Sequence, residues 1–231
     1  MPAKPHLGPT RAVDGFPLHS LTQHNVPVTG CLLAGGEGRR MGGQDKGLVP
    51  YRGRPLAAWV AEDLIRQTGH QLVIANRHVD EYLALMQELG ATPIDVESMV
   101  LPDSPHLPAY SGPAAGILTA MGLVQTPWLM VMPCDTPHIP DDLVIRLLAE
   151  ADQGHFDAVV PRTLDADGAE RFHWATALLR VDVAFQLDQI FGQEERKLRV
   201  FIQSLNWSWV SFPDAASFRN INSLEMLNGG D

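Results

Sequence analysis

The chain has 231 residues, of which 17 are basic and 27 acidic, so its formal net charge is −10 at neutral pH. This acidic balance disfavours non-specific binding to nucleic acid or to anionic membranes, since both need a basic surface. An apolar content of 45% and this length fit a globular protein with one domain and a substantial core. The two cysteines predict no disulfide framework, and no apolar run approaches the roughly 20 residues of a membrane span.

The N-terminal segment, residues 1–27, is rich in proline and shows little hydrophobic periodicity. This composition is typical of a disordered extension, and we therefore place the folded domain at 28–231. The segment also lacks the apolar stretch of a signal peptide, so we expect a cytoplasmic protein.

The functional interpretation depends on the segment from Cys31 to Leu48, CLLAGGEGRRMGGQDKGL. An apolar run at 28–33 ends in a glycine-rich segment, which predicts a buried strand followed by a loop. Glycines leave backbone N–H groups free to approach phosphates, and Arg40 and Lys46 add positive charge. The segment is neither a Walker loop, since glycine follows the lysine, nor a complete dinucleotide fingerprint.

Beyond this loop, predicted strands and helices alternate along the chain. Further strands are predicted at 71–75, 91–96, 128–132, 158–161, 174–179 and 207–212. Helices are predicted at 55–68, 78–90, 111–124, 140–151, 181–191, 195–205 and 223–227, with a loop at 97–110. The unbroken apolar run at 128–132 is typical of a strand buried on both faces of a parallel sheet. The pattern predicts an α/β fold, a Rossmann-like three-layer αβα sandwich with a mostly parallel central sheet and ligands at the carboxyl ends of its strands.

Asp135 follows the run at 128–132 directly, within the sequence Pro-Cys-Asp-Thr-Pro. A carboxylate at this position is well placed to hold Mg²⁺, which would bridge phosphate oxygens. The alternative role, capping the helix predicted from Pro140, is disfavoured because five residues is too far for an N-cap bond. Cys134 is expected to pack inward, not to act as a nucleophile.

The motifs LAGG, RMGG and DKGL, in this order, resemble those of the molybdenum cofactor guanylyltransferases, the MobA family. The resemblance spans roughly 28–227, and it implies a nucleotidyltransferase that uses Mg²⁺. Its substrates would be GTP and molybdopterin, and its products molybdopterin guanine dinucleotide and pyrophosphate. A molybdoenzyme or its chaperone would be a further partner. The alternatives are a cytidylyltransferase or other nucleotidyltransferase, and a non-catalytic nucleotide-binding delivery protein.

The resemblance also implies roles for individual residues. Lys46 and Arg40 would contact the triphosphate, and Asp135 would hold the metal. The remaining nucleotide or acceptor contacts would come from the backbone of Leu33, Ala34, Gly35 and Gly36, from Asn76 and Asp103 at the nucleoside, and from Asn220 and Asn222 towards the pterin.

The sequence departs from the family pattern at Ile74, where the family often has an asparagine. Residues 74 and 76 share a strand face, so Asn76 is expected to take over that role. At His173 the family's following proline is missing, and a pterin contact and a structural role both remain open. The segment 112–116 matches a Gly-Pro-x-Ala-Gly motif that we expect on the acceptor side.

Overall fold

The computed structural model describes residues 27–34, 44–93, 99–106, 112–192 and 197–221. The predicted disordered extension, except its last residue, and the helix predicted at 223–227 lie outside the described residues, as does the glycine-rich part of the loop.

Strands and helices alternate, as expected. In chain order the elements are β1 Val28–Ala34, β2 Pro50–Tyr51, β3 Arg54–Pro55, α1 Leu56–Gln67, β4 His70–Ala75, α2 Val79–Glu88, β5 Val100–Leu101, α3 Pro113–Met121, β6 Trp128–Pro133, α4 Leu143–Gly154, β7 Ala158–Leu164, β8 Glu170–Phe172, β9 Ala177–Arg180, α5 Ala184–Gly192, α6 Leu198–Ser204 and β10 Trp207–Ser211.

The central sheet of the described chain has the strand order β10-β7-β9-β6-β1-β4-β5, with β8 paired to β7. Strands β5, β4, β1 and β6 run parallel to one another, and β10 runs parallel to β7. Strand β9 lies antiparallel between β6 and β7, and β8 forms an antiparallel ladder with β7. The sheet is therefore mostly parallel, which confirms the predicted fold class. Strands β2 and β3 form a separate hairpin.

Helices cover both faces of the sheet. One core lies between the sheet and α1, α2 and α4, and the other between the sheet and α3, α5 and α6. Successive residues of a strand point to opposite faces, and accordingly Cys31 packs into the second core and Leu32 into the first. Because both faces are buried, β1 and β6 consist of nearly continuous apolar residues.

Several predicted boundaries are wrong. Of the strand predicted at 91–96, only residues 91–93 are described, and there Pro93 forms an isolated bridge with Gln71. On the side of β4 away from β1, the neighbouring strand is instead β5, which lies inside the predicted loop. A strand of two residues is too short to show an alternating pattern in the sequence. Similarly, β9 begins only at Ala177, because the chain turns where Thr176 donates its N–H to the carbonyl of His173.

Three helix ends also differ from the prediction. The stretch 181–191 divides into a 3₁₀ turn, Val181–Val183, followed by α5. Helix α4 begins at Leu143, three residues after Pro140, and α1 begins after Pro55. In the described part of the chain, no helix combines the length and apolar character needed to cross a membrane.

Candidate active site

The carboxyl ends of β5, β4, β1 and β6 lie side by side at one edge of the sheet. Each strand delivers residues singled out in the sequence: Asp103 after β5, Asn76 after β4, Leu33 and Ala34 at the end of β1, and Asp135 after β6. A hydrogen bond from the N–H of Cys134 to the carbonyl of Leu33 continues the β1–β6 pairing beyond the end of β6. Parallel topology thus brings distant motifs to one site.

Lys46 and Asp135 are in direct contact at this edge. The Lys46 Nζ atom lies 2.5 Å from Oδ2 of Asp135, and the two side chains are only 20% and 14% exposed. The ion pair joins the loop after β1 to the end of β6. A cation and a carboxylate held together here can exchange their mutual contact for contacts to a phosphate and a metal ion.

Asn220 lies next to this pair. Its Oδ1 accepts a hydrogen bond of 3.2 Å from the hydroxyl of Thr136, the neighbour of Asp135. The N–H of Ile221 donates to the backbone carbonyl of Asp135 over 2.9 Å. The C-terminal segment is thereby tied to the loop that carries the carboxylate. Asp135 does not cap α4, since the N-cap position belongs to Asp142.

Asn76 and Asp103 form a reciprocal pair. The Asn76 side chain donates from Nδ2 to Oδ2 of Asp103 over 2.8 Å and accepts the Asp103 backbone N–H over 2.9 Å. The amide thus holds a carboxylate in place. The expected direct contact of Asn76 with the nucleotide stays a prediction.

Gly116, on α3, lies beside the same carboxylate. A Cβ atom at this glycine would stand 2.9 Å from the side chain of Leu33, 3.3 Å from that of Ile74 and 3.5 Å from Oδ1 of Asp103. Gly116 therefore lies at the Asp103 end of this edge, and the acceptor-side role of 112–116 stays a prediction. Ile74 is buried and supplies an apolar wall where the family often has an amide.

A cavity of about 650 Å³ opens beside Asn220 and Pro133. His173 and Phe218 stack in its wall, with ring centroids 4.6 Å apart. Burial, reinforced by the nearby Arg171, lowers the pKa of His173 to about 4. The ring is therefore neutral at physiological pH and shares a 2.9 Å hydrogen bond with Thr163.

The thiol next to Asp135 is unsuited to nucleophilic chemistry. Burial and the neighbouring carboxylates of Asp135 and Asp45 raise the pKa of Cys134 well above its usual range. Since the thiolate is the reactive form, this shift disfavours a nucleophilic role for Cys134.

No group of three or more His, Cys, Asp or Glu residues that could bind a metal ion occurs among the described residues. Asp135 offers a single carboxylate beside a cation. This donor set fits Mg²⁺, which commonly keeps its waters and takes one or two carboxylates together with substrate phosphates.

Four of the predicted site residues lie outside the described residues: Gly35, Gly36, Arg40 and Asn222. Conversely, sequence reasoning missed Asp45 and Tyr82, which hydrogen-bond each other beside Lys46. The sequence Asp-x-Gly at 45–47 is typical of a turn closed by the aspartate side chain, so it could have identified Asp45. No local sequence pattern indicates that Tyr82 contacts this turn.

The chain matches the family model of the MobA-like NTP transferase domain over residues 30–208. It is 36% identical over 201 residues to a molybdenum cofactor guanylyltransferase of Cupriavidus metallidurans, covering 87% of this chain and 93% of that protein. It is 39% identical over 200 residues to the enzyme of the same name from Burkholderia ambifaria, covering 87% and 93%.

Solved structures share the fold. Molybdopterin-guanine dinucleotide biosynthesis protein A from Archaeoglobus fulgidus superposes with a TM-score of 0.63 at 23% identity, covering 87% of this chain and 95% of that one. A CMP:2-keto-3-deoxy-manno-octonic acid synthetase in complex with CTP superposes with a TM-score of 0.65 at 13% identity, with the same coverage. The extent of the family match and the identity to curated relatives together show that this chain belongs to the MobA-like NTP transferase family.

Proposed function

We propose that this protein transfers GMP from GTP to the terminal phosphate of molybdopterin, forming molybdopterin guanine dinucleotide and pyrophosphate. The observation that carries the proposal is the Lys46–Asp135 contact at the carboxyl edge of the sheet, between the Asp103 site and the cavity beside Asn220. A triphosphate centre thus has a nucleoside site on one side and an acceptor site on the other. The shared name of the curated relatives supports the same reaction.

The proposed chemistry is a direct displacement. The acceptor phosphate attacks the α-phosphorus of GTP, the bond to the β-phosphate breaks, and pyrophosphate leaves. The protein contributes positioning and charge neutralisation and needs no covalent intermediate. Lys46 would transfer its contact from Asp135 to the phosphate oxygens, and Arg40 is predicted to assist it.

Asp135 is the residue proposed to hold Mg²⁺, together with phosphate oxygens and water. When bound, the ion would neutralise part of the charge on the phosphates. Without it, a carboxylate at this position repels a triphosphate, and the contact with Lys46 offsets that repulsion in the free protein.

Asp103 is proposed to recognise the base. Its oxygens are acceptors with spare lone pairs even after binding Asn76, and guanine presents two adjacent donors, N1–H and the 2-amino group. Cytosine and adenine place an acceptor beside their donor, which a carboxylate repels. The apolar surface of Leu33 and Ile74 beside Gly116 suits the base plane. This arrangement favours guanine without an amide at position 74.

The cavity beside Asn220 is proposed to take molybdopterin. The stacked rings of His173 and Phe218 match a flat heterocycle, and the exposed cation Arg219 suits an anionic acceptor. We infer that the reaction occurs in the cytoplasm, in keeping with two free cysteines. A molybdoenzyme or its chaperone would receive the product.

The proposal is tested by pyrophosphate release with Mg²⁺ and molybdopterin, offering GTP, CTP and ATP in parallel. We expect release with GTP at least about 10²-fold faster than with the others, since a base that leaves a polar site unpaired is strongly rejected. Release with CTP instead would point to a cytidylyltransferase. Nucleotide binding without release from any of the three would favour the non-catalytic delivery protein.

Asn76→Ala tests how the base-recognition carboxylate is held. The change removes both hydrogen bonds to Asp103, so we expect the KM for GTP to rise about 10-fold, the effect of losing one to two hydrogen bonds to a charged group. The kcat should change little, because the phosphate contacts remain. Asn206→Ala is the matched control, since that exposed amide donates to the carbonyl of His155. An unchanged KM in Asn76→Ala would contradict the assignment.

A further inference from the structure

A buried tyrosine in a neighbouring helix is connected to Lys46 through two hydrogen bonds. Tyr82, on α2, is fully buried, and its O–H donates to Oδ1 of Asp45 over 2.7 Å. The same oxygen accepts the backbone N–H of Gly47 over 3.1 Å. These contacts close a turn in which the Asp45 side chain bonds the second residue after it, with Lys46 at its centre.

We propose that Tyr82 and Asp45 are positioning residues that aim the Lys46 ammonium at the phosphate site. The proposal rests on the proposed function, which gives Lys46 its role in catalysis. Tyr82 fixes the Asp45 side chain, and Asp45 fixes the backbone on both sides of Lys46. The side chain of Lys46 therefore extends towards Asp135 from a turn that is held by hydrogen bonds.

Gly47 shows how closely the tyrosine abuts this turn. A Cβ atom there would lie 2.2 Å from the phenol oxygen of Tyr82 and 3.3 Å from the Cβ of Ala57 on α1. The backbone after Lys46 is thus enclosed by α1 on one side and by the phenol on the other. Because this space admits only a glycine, any shift of the phenol is transmitted directly to the turn.

The burial of Asp45 argues for a role beyond stability. Asp45 is only 6% exposed, and its Oδ2 atom is buried without a hydrogen-bond partner among the described residues. Leaving a buried polar atom unpaired costs free energy, so this carboxyl group is a poor choice for stability alone. We infer that the cost of burying Asp45 is tolerated because its carboxyl group orients the neighbouring Lys46 ammonium.

Tyr82→Phe tests the proposal by removing one oxygen atom. We expect kcat to fall about 10-fold with little change in the KM for the acceptor, since small displacements of a catalytic group are costly. Tyr51→Phe is the matched control: Tyr51 is also buried, and its oxygen bonds His138. In a Lys46→Arg background, Tyr82→Phe should cost less than about 2-fold, because coupled residues are non-additive. An unchanged kcat in Tyr82→Phe, or the full loss in both backgrounds, would overturn the proposal.

A second readout does not need turnover. The chain has three lysines, Lys4, Lys46 and Lys197, so reductive ¹³C-methylation gives three lysine signals that can be told apart by NMR. The Lys46 signal, assigned by its absence in Lys46→Arg, should move towards the position of an unrestrained lysine in Tyr82→Phe and stay in place in the Tyr51→Phe control. An unmoved signal would refute the positioning role. A wild-type protein that releases no pyrophosphate would refute the proposed function, and the NMR result would still decide the role of Tyr82.

Discussion

Replacing Lys46 by methionine is expected to lower the rate of pyrophosphate release by about 10²- to 10³-fold, the cost of removing one preorganised group that stabilises developing charge. Methionine keeps the apolar stem and removes only the ammonium. The structure supplies the reason for so large an effect. The Nζ atom is held 2.5 Å from Asp135 in a half-enclosed site, where charge is screened less than at an open surface.

Lys197→Met is the control for this substitution. Lys197 is exposed and lies far from Lys46 in the sequence, at the N-cap of α6. It should leave the rate unchanged. Without Mg²⁺, Lys46→Met should also bind GTP more weakly than the wild type, because the Asp135 carboxylate is left uncompensated beside the triphosphate. Thermal unfolding would verify that both variants are folded. A Lys46→Met protein with near-wild-type turnover would remove the lysine from the mechanism.

The parts of the fold that the sequence predicts are those with long, continuous patterns. Strand β6 is six residues of mainly apolar character, and a strand of that kind can only be accommodated between two helical layers. Its position also predicts Asp135, because in a parallel sheet the residue after a central strand falls at the ligand edge. The short strand β5 carries no such pattern, and its place next to β4 is decided by tertiary pairing.

The missed parts of the candidate site depend on contacts between distant segments. Tyr82 has the helical spacing of a core residue, and only the fold reveals that its hydroxyl reaches Asp45. Likewise, the pairing of Asn76 with Asp103 joins residues 27 positions apart, and nothing in the sequence indicates that the two side chains bond each other. The cavity beside Asn220 is formed by the loops around β8 and by the C-terminal segment, which no local motif connects.

Asp135→Asn is expected to reduce the rate of pyrophosphate release by about 10³-fold, since the loss of a bound metal's charge stabilisation is worth several kcal/mol. The amide keeps the size of the side chain and still accepts a hydrogen bond from Lys46, so the local packing is preserved. It removes the negative charge, which is the property that a hard cation such as Mg²⁺ requires.

The same substitution makes a second prediction with the opposite sign. Without Mg²⁺, Asp135→Asn should bind GTP at least as tightly as the wild type, because the repulsive carboxylate is gone and Lys46 is released from its ion pair. With Mg²⁺, the wild type should gain affinity and the variant should not. Asp142→Asn, at an exposed carboxylate seven residues further along, should behave as the wild type in both conditions. If Mg²⁺ tightened GTP binding equally in Asp135→Asn and the wild type, the metal site would have to be elsewhere, and the contact with Lys46 would be a structural ion pair.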